Sequence, residues 1–146
     1  MSDKKGMTTV MAAAEKGHWD VLKVLLRNFG PLEAVDQDGK TALLYAVANH
    51  RADALQVLLD YGADPRQPEN DGKDPMLHAM AQHKQYNDTE RIVRMLLTAM
   101  GGVSNDTESV KYLRSAALAG QNQILKLLLQ HKANVNAEDG NGRSVL

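Results

Sequence analysis

Histidines and the carboxylates near them are the residues of this chain whose types suit metal binding or proton transfer, and there are five histidines to consider. Their spacing argues against a shared site. His78 and His83 stand five apart, which on one helix puts them on different faces, whereas an i, i+4 pair would share one. His18 and His50 fall in short breaks between helical stretches. Asp139-Gly140-Asn141-Gly142 looks like the start of a calcium loop but lacks the later bidentate glutamate and a following helix. Asp-Gly and Asn-Gly are at home in a hairpin turn, and that is the expected conformation. No G-x-S-x-G elbow or glycine-rich phosphate cradle stands in a suitable context. With no cysteine, disulfides, thiolate catalysis and cysteine-type zinc sites drop out together. The expectation is therefore no enzyme, no metal and no cofactor.

The partner classes narrow on charge. Formal net charge is −1 over 146 residues, so no global field favours nucleic acid or an anionic membrane. The basic residues Lys4, Lys5, Lys40, Lys73 and Arg143 are scattered among acids and form no stripe. Trp19 and Phe29 are alone of their kinds, and Trp19 is expected to pack on a neighbouring element. No run approaches the roughly 18 apolar residues of a membrane span, and MSDKKGMTT carries charge without an apolar signal core. The expected setting is the cytoplasm, with the nucleus as an alternative. In such a setting the sequons at Asn87 and Asn105 carry no glycan.

What organises the chain is repetition. The stretch DQDGKTALLYAVANHRADALQVLLDYGADPRQP, Asp36 to Pro68, can be slid along the sequence. Moved back by 33 residues, Gly39 falls on Gly6, Thr41 on Thr8, and Leu55, Leu58 and Leu59 on Leu22, Leu25 and Leu26. Moved forward by 33, Gly39 falls on Gly72, Ala46 on Ala79 and Ala48 on Ala81. A fixed period of this length signals a stacked solenoid. The unit D-x-x-G-x-T-A-L, followed by L-L-D-Y-G-A-D, resembles the ankyrin repeat. The resemblance implies an all-α solenoid of helix-turn-helix units joined by β-hairpin connections. It covers one domain, 3–146, with repeats at about 3–35, 36–68, 69–105 and 106–138 and a partial fifth at 139–146.

Each repeat has its expected parts. In repeat one Val21, Leu22, Val24, Leu25 and Leu26 read as the apolar stripe of a packed outer helix. Repeat two is the best preserved; Thr41 is the expected cap of its inner helix, Gly62 ends the outer one, and His50 replaces the loop glycine. In repeat three Asp74 serves as cap with Pro75 just inside the helix. About five extra residues around KQYNDT separate its two helices. Met76, Met80, Met95 and Met100 read as core filler. Repeat four opens irregularly, with Ser109 in the glycine slot and Ser109 or Thr107 as the expected cap. Ile124, Leu127 and Leu128 are expected to be short of cover, and the partial fifth repeat to be completed in a longer natural chain.

The function implied by the resemblance is that of a protein-interaction module, an adaptor or scaffold that binds a protein or peptide partner on a concave face. It is expected as a monomer or as part of a larger chain, without nucleic acid or membrane. The expected binding residues are Lys40, Asp71 and Lys73 at the hairpin tips, and Tyr45, Asn49, His78, Gln82 and Leu118 on the inner helices. Tyr45 and His78 are equivalent, one repeat apart, and should lie side by side. For Tyr45 two roles stand open: an anchor for the partner, or packing against its own hairpin. A rival surface is the 84–89 insert with Tyr86 at its tip. Leu128, Val135 and Asn136 match the arrangement that asparaginyl hydroxylases take in ankyrin hairpins, which marks Asn136 as a modification candidate beside a purely structural role. An alternative function is ligand sensing within a larger enzyme, similar to the ankyrin region of ribonuclease L. That use needs aromatic rings, and the equivalent slots here hold Met7, Lys40, Lys73, Val110 and Arg143.

Overall fold

Short polar residues at a spacing of 33 start the inner helices. Thr8, Thr41 and Asp74 each sit in extended backbone, and each side-chain oxygen accepts the N–H three residues on, from Met11, Leu44 and Leu77. Each cap satisfies one of the donors that a helix start leaves orphaned. The computed structural model describes residues 6–81, 88–103 and 105–133. Its helices, in order, are α1 (Thr9–Lys16), α2 (Trp19–Arg27), α3 (Ala42–Ala48), α4 (Ala52–Asp60), α5 (Pro75–Met80), α6 (Thr89–Met100), α7 (Asp106–Leu118) and α8 (Asn122–Gln130). No strand occurs among the described residues. The hairpin-like connections are turns: in the one before α3, the Asp36 N–H donates to the Lys40 carbonyl and the Gly39 N–H to the Asp36 carbonyl.

The chain divides into two compact units, 1–92 and 93–146, with the boundary inside α6. In the first unit, α1 packs on α3 and α3 on α5, forming an inner layer. The outer helix α2 packs on α4, and each outer helix also packs on the inner helix of its own repeat. Alanine makes the inner layer close: Ala13, Ala46 and Ala79 are buried at equivalent positions, and their small side chains let the helices approach. Larger residues fill the space between layers, with Met11, Leu43, Leu44, Leu55, Leu58 and Met76 almost wholly buried. Each contributes about 1.5–3 kcal/mol by leaving water. In the second unit α7 packs on α8, over a core that includes Tyr112, Leu113, Ala116 and Leu128.

Several expectations change. Val21 and Val24 do not join the packed stripe of α2; they are 45% and 59% exposed, while Leu22 and Leu26 are buried. The reason lies in position. Ala54 and Val57, one repeat on, are buried in a helix that has a preceding outer helix packed against it, and α2 has none among the described residues. Trp19 is half-exposed, and the Lys23 ammonium stands 5.1 Å from its ring centroid. Met76, Met80 and Met100 are buried, as core filler should be, and Met95 is half-buried. Ile124, Leu127 and Leu128 are buried rather than short of cover; Leu129 is the exposed apolar residue of α8.

Left-handed backbone recurs after the helices, and three described positions, Phe29, His50 and Lys132 (φ 76), lack the usual glycine. His50 (φ 56) stands where repeat one has Gly17, and Phe29 (φ 62) where repeat two has Gly62. A side chain in this region costs about 1–2 kcal/mol. Phe29 accepts that cost while 96% exposed.

The opening of repeat four is helical. Without a glycine at Ser109 to take the left-handed turn that Gly39 and Gly72 supply (φ 79 and 86), the chain begins α7 early, at Asp106. The cap is Asn105, whose side chain accepts the Glu108 N–H at 2.9 Å, and not Thr107 or Ser109, which lie inside the helix. Asp106 and Glu108 in the first turn match the positive end of the helix dipole. Asn105→Ala is expected to destabilise the protein by about 1 kcal/mol, and Thr107→Ala by no more than a few tenths, in urea unfolding.

Candidate functional site

The hairpin turns before α3 and α5 are built on carboxylates. Asp36 Oδ1 accepts the N–H groups of Asp38 and Lys40, each at 2.9 Å, which folds the turn back on its own first residue. The other oxygen, Oδ2, accepts the hydroxyl of Tyr45, nine residues on in α3. One repeat later the same spacing returns. Glu69 Oε1 lies 2.8 Å from His78 Nε2, again nine residues on, in α5. Each carboxylate therefore ties a hairpin to the inner helix that follows it.

Two further links join one hairpin to the next. Lys40 Nζ lies 3.9 Å from Glu69 Oε2 and 5.9 Å from the Tyr45 ring centroid. Asn70 donates its backbone N–H to the Asp38 carbonyl at 2.9 Å and its side-chain amide to the Gln37 carbonyl at 3.0 Å. Gly39 makes this approach feasible: a Cβ there would overlap the Asn70 amide oxygen and stand 2.8 Å from the Asn70 nitrogen. The result is one continuous polar array, Asp36–Tyr45–Lys40–Glu69–His78, running across two repeats.

Electrostatics follow from that array. Burial disfavours the charge on Asp36, but the Tyr45 hydroxyl, the Lys40 and Asp38 N–H groups and the Lys40 ammonium outweigh it, so its pKa lies below the ordinary 3.8. Burial first, then the hydrogen bond and charge of Asp36, push Tyr45 well above the ordinary phenol value, so it stays a neutral donor. Asp71 is lowered as well, chiefly by the Lys73 N–H that its Oδ1 accepts at 3.0 Å.

Of the residues singled out from the sequence, Lys40, Tyr45, Asp71, Lys73 and His78 lie together in this hairpin and inner-helix region. Tyr45 is half-buried with its hydroxyl donating to Asp36. His78 is likewise held, on Glu69. Asn49 is exposed at the end of α3, with its amide donating to the Tyr45 carbonyl at 2.8 Å. Leu118, the last residue of α7 in the second unit, is 83% exposed. Gln82, Tyr86 and Asn136 lie outside the described residues. Asp36, Glu69 and Asn70 were not singled out; the repeated nine-residue step from carboxylate to ring is the signal that marks the first two. Among the described residues no group of three or more histidines and carboxylates could hold a metal ion, and no helix is long and apolar enough to cross a membrane.

Known proteins are similar to this chain in sequence pattern and in fold. The family described as ankyrin repeats (3 copies) matches residues 1–69, and the single ankyrin repeat matches residues 113–140, together more than half of the chain. The second match begins at Leu113, beyond the irregular opening of repeat four. A crystal structure of an ankyrin repeat domain from Acinetobacter baumannii AYE is similar in fold, with a TM-score of 0.78 at 22% sequence identity. That similarity covers 91% of this chain and 68% of the other. No curated protein sequence matches. The chain belongs to the ankyrin-repeat family, and its fold is an all-helical ankyrin solenoid. Proteins of this family generally serve as protein-interaction modules.

Because Asp36 titrates lower folded than unfolded, its contribution to stability is complete above 3.8 and is lost as pH falls through its folded pKa. Tyr45→Phe removes the donor and is expected to cost about 1–2 kcal/mol at neutral pH. The gap between wild type and variant should narrow as pH drops below 3.8 in urea unfolding, the ordinary value for this carboxyl. A gap that stays constant to the acid limit would contradict the assignment.

Proposed function

We propose that the chain is a non-enzymatic adaptor or scaffold. It binds a protein or peptide along the face formed by the hairpin tips and the C-terminal ends of the inner helices in the first unit. The observation that carries this reading is the cross-linked row of hairpins, Asn70 on the turn at 37–38 and Lys40 on Glu69. A row fixed in this way loses little freedom when a partner docks, which is where preorganisation improves affinity. It presents Gln37, Asp38, Asn70 and Asp71 as exposed donors and acceptors, with Asn49 and Ala81 exposed at the helix ends. Acids and amides outnumber cations there, which favours a polar or basic segment over a nucleic acid.

No specific observation favours the ligand-sensing alternative. Its stacking rings would occupy the slots of Met7, Lys40 and Lys73, and the nearby Tyr45 ring already has Lys40 against it.

The test is capture of a partner from lysate with the whole chain, followed by titration of the purified partner against variants. Asp71→Lys and Asn49→Lys should each weaken binding about 5- to 30-fold, or roughly 1–2 kcal/mol. The helical circular dichroism should stay unchanged, since both residues are exposed. If Tyr86→Ala alone weakens the complex, the partner sits on the 84–89 insert and the hairpin face is the wrong assignment.

A further inference from the structure

We propose that this chain pairs with a second copy of itself through the outward face of α2, the two helices lying antiparallel about a two-fold axis beside Val24. Val21 and Val24 form an apolar strip at positions that are buried in α4 (Ala54 and Val57), where α2 packs on that helix. The face is therefore already of the kind that receives an outer helix. Phe29, almost fully exposed, follows at the C-terminal end of α2, where its left-handed backbone closes the helix: its N–H donates to the Leu26 carbonyl and the Gly30 N–H to the Leu25 carbonyl.

Charge selects the occupant. Asp20 and Arg27 are exposed and lie seven residues, or two turns, apart on the same flank of Val24. Asp20 accepts only the Val21 N–H, and Arg27 has no ion-pair partner among the described residues. In an antiparallel pair the two-fold axis sets Asp20 of one copy level with Arg27 of the other, and the reverse, on one side of the valine strip. The helix dipoles then run in opposite directions, which is the favourable sense. A helix with acid at its start and base at its end, on one flank of an apolar strip, is complementary to itself. A helix of nine residues is about 14 Å long, so the interface is small and the dimer weak.

Sedimentation equilibrium of the whole chain from about 5 to 500 µM tests this. The mass should rise from 16.0 kDa toward twice that value with concentration. Val24→Asp should hold the monomer throughout. Asp20→Arg alone and Arg27→Asp alone should each weaken pairing about tenfold or more, and the double exchange should restore it. Melting curves of every variant confirm that it is folded. A chain that stays monomeric at the highest concentration overturns the proposal. So does a dimer indifferent to Val24→Asp, or a double exchange without rescue.

Discussion

A carboxylate at the entry to the hairpins before α3 and α5, joined to a ring nine residues further on, holds these two repeats in register. Asp36 spends one oxygen on two backbone N–H groups and the other on Tyr45; Glu69 spends its oxygens on His78 and Lys40. A charge this enclosed is tolerable only because its oxygens are engaged. The magnitudes assign it a particular role. Each buried leucine of the core contributes about 1.5–3 kcal/mol, whereas a hydrogen bond nets about 1 kcal/mol. The apolar layer between inner and outer helices therefore supplies the stability, and the carboxylates determine where the hairpins point.

That division of labour explains how the binding face is presented. The small side chains of Ala13, Ala46 and Ala79 bring the inner helices together, which in turn brings the hairpin at 69–73 onto the one at 36–40. Asn70 then bonds to two carbonyls of the preceding turn, and this contact requires a bare backbone at Gly39. Core packing and surface geometry are linked through these few atoms. Repeat four lacks the glycine, and its opening is accordingly helix rather than hairpin.

Much of this was legible in the sequence where the determinants are local. The caps Thr41 and Asp74, the helix with Pro75 at its start and the buried alanines follow from residue type and the 33-residue register. Failures came where a neighbour decides. Val21 and Val24 carry the pattern of buried residues, but burial depends on a helix packed against them. Asn105 was passed over because the repeat register pointed to Thr107 or Ser109, while the missing glycine had already released the chain to start its helix early. At the candidate site, Tyr45 was recognised but the group that takes up its hydroxyl was not. That partner is nine residues away, a step belonging to neither helix nor strand periodicity and visible only because Glu69 and His78 repeat it.

The central claim is that the hairpins are held against one another by direct backbone contact, and paired alanine substitutions at two equivalent glycines test it most directly. Gly39 and Gly72 have nearly the same left-handed backbone (φ 79 and 86), so the conformational cost of alanine is shared at about 1–2 kcal/mol. Only Gly39 faces Asn70; a Cβ at Gly72 meets nothing within 4 Å. Urea unfolding should show Gly39→Ala losing at least about 1 kcal/mol more than Gly72→Ala, with backbone displacement added to strain. Equal losses would mean that the hairpins are not tied to one another, and would contradict the account.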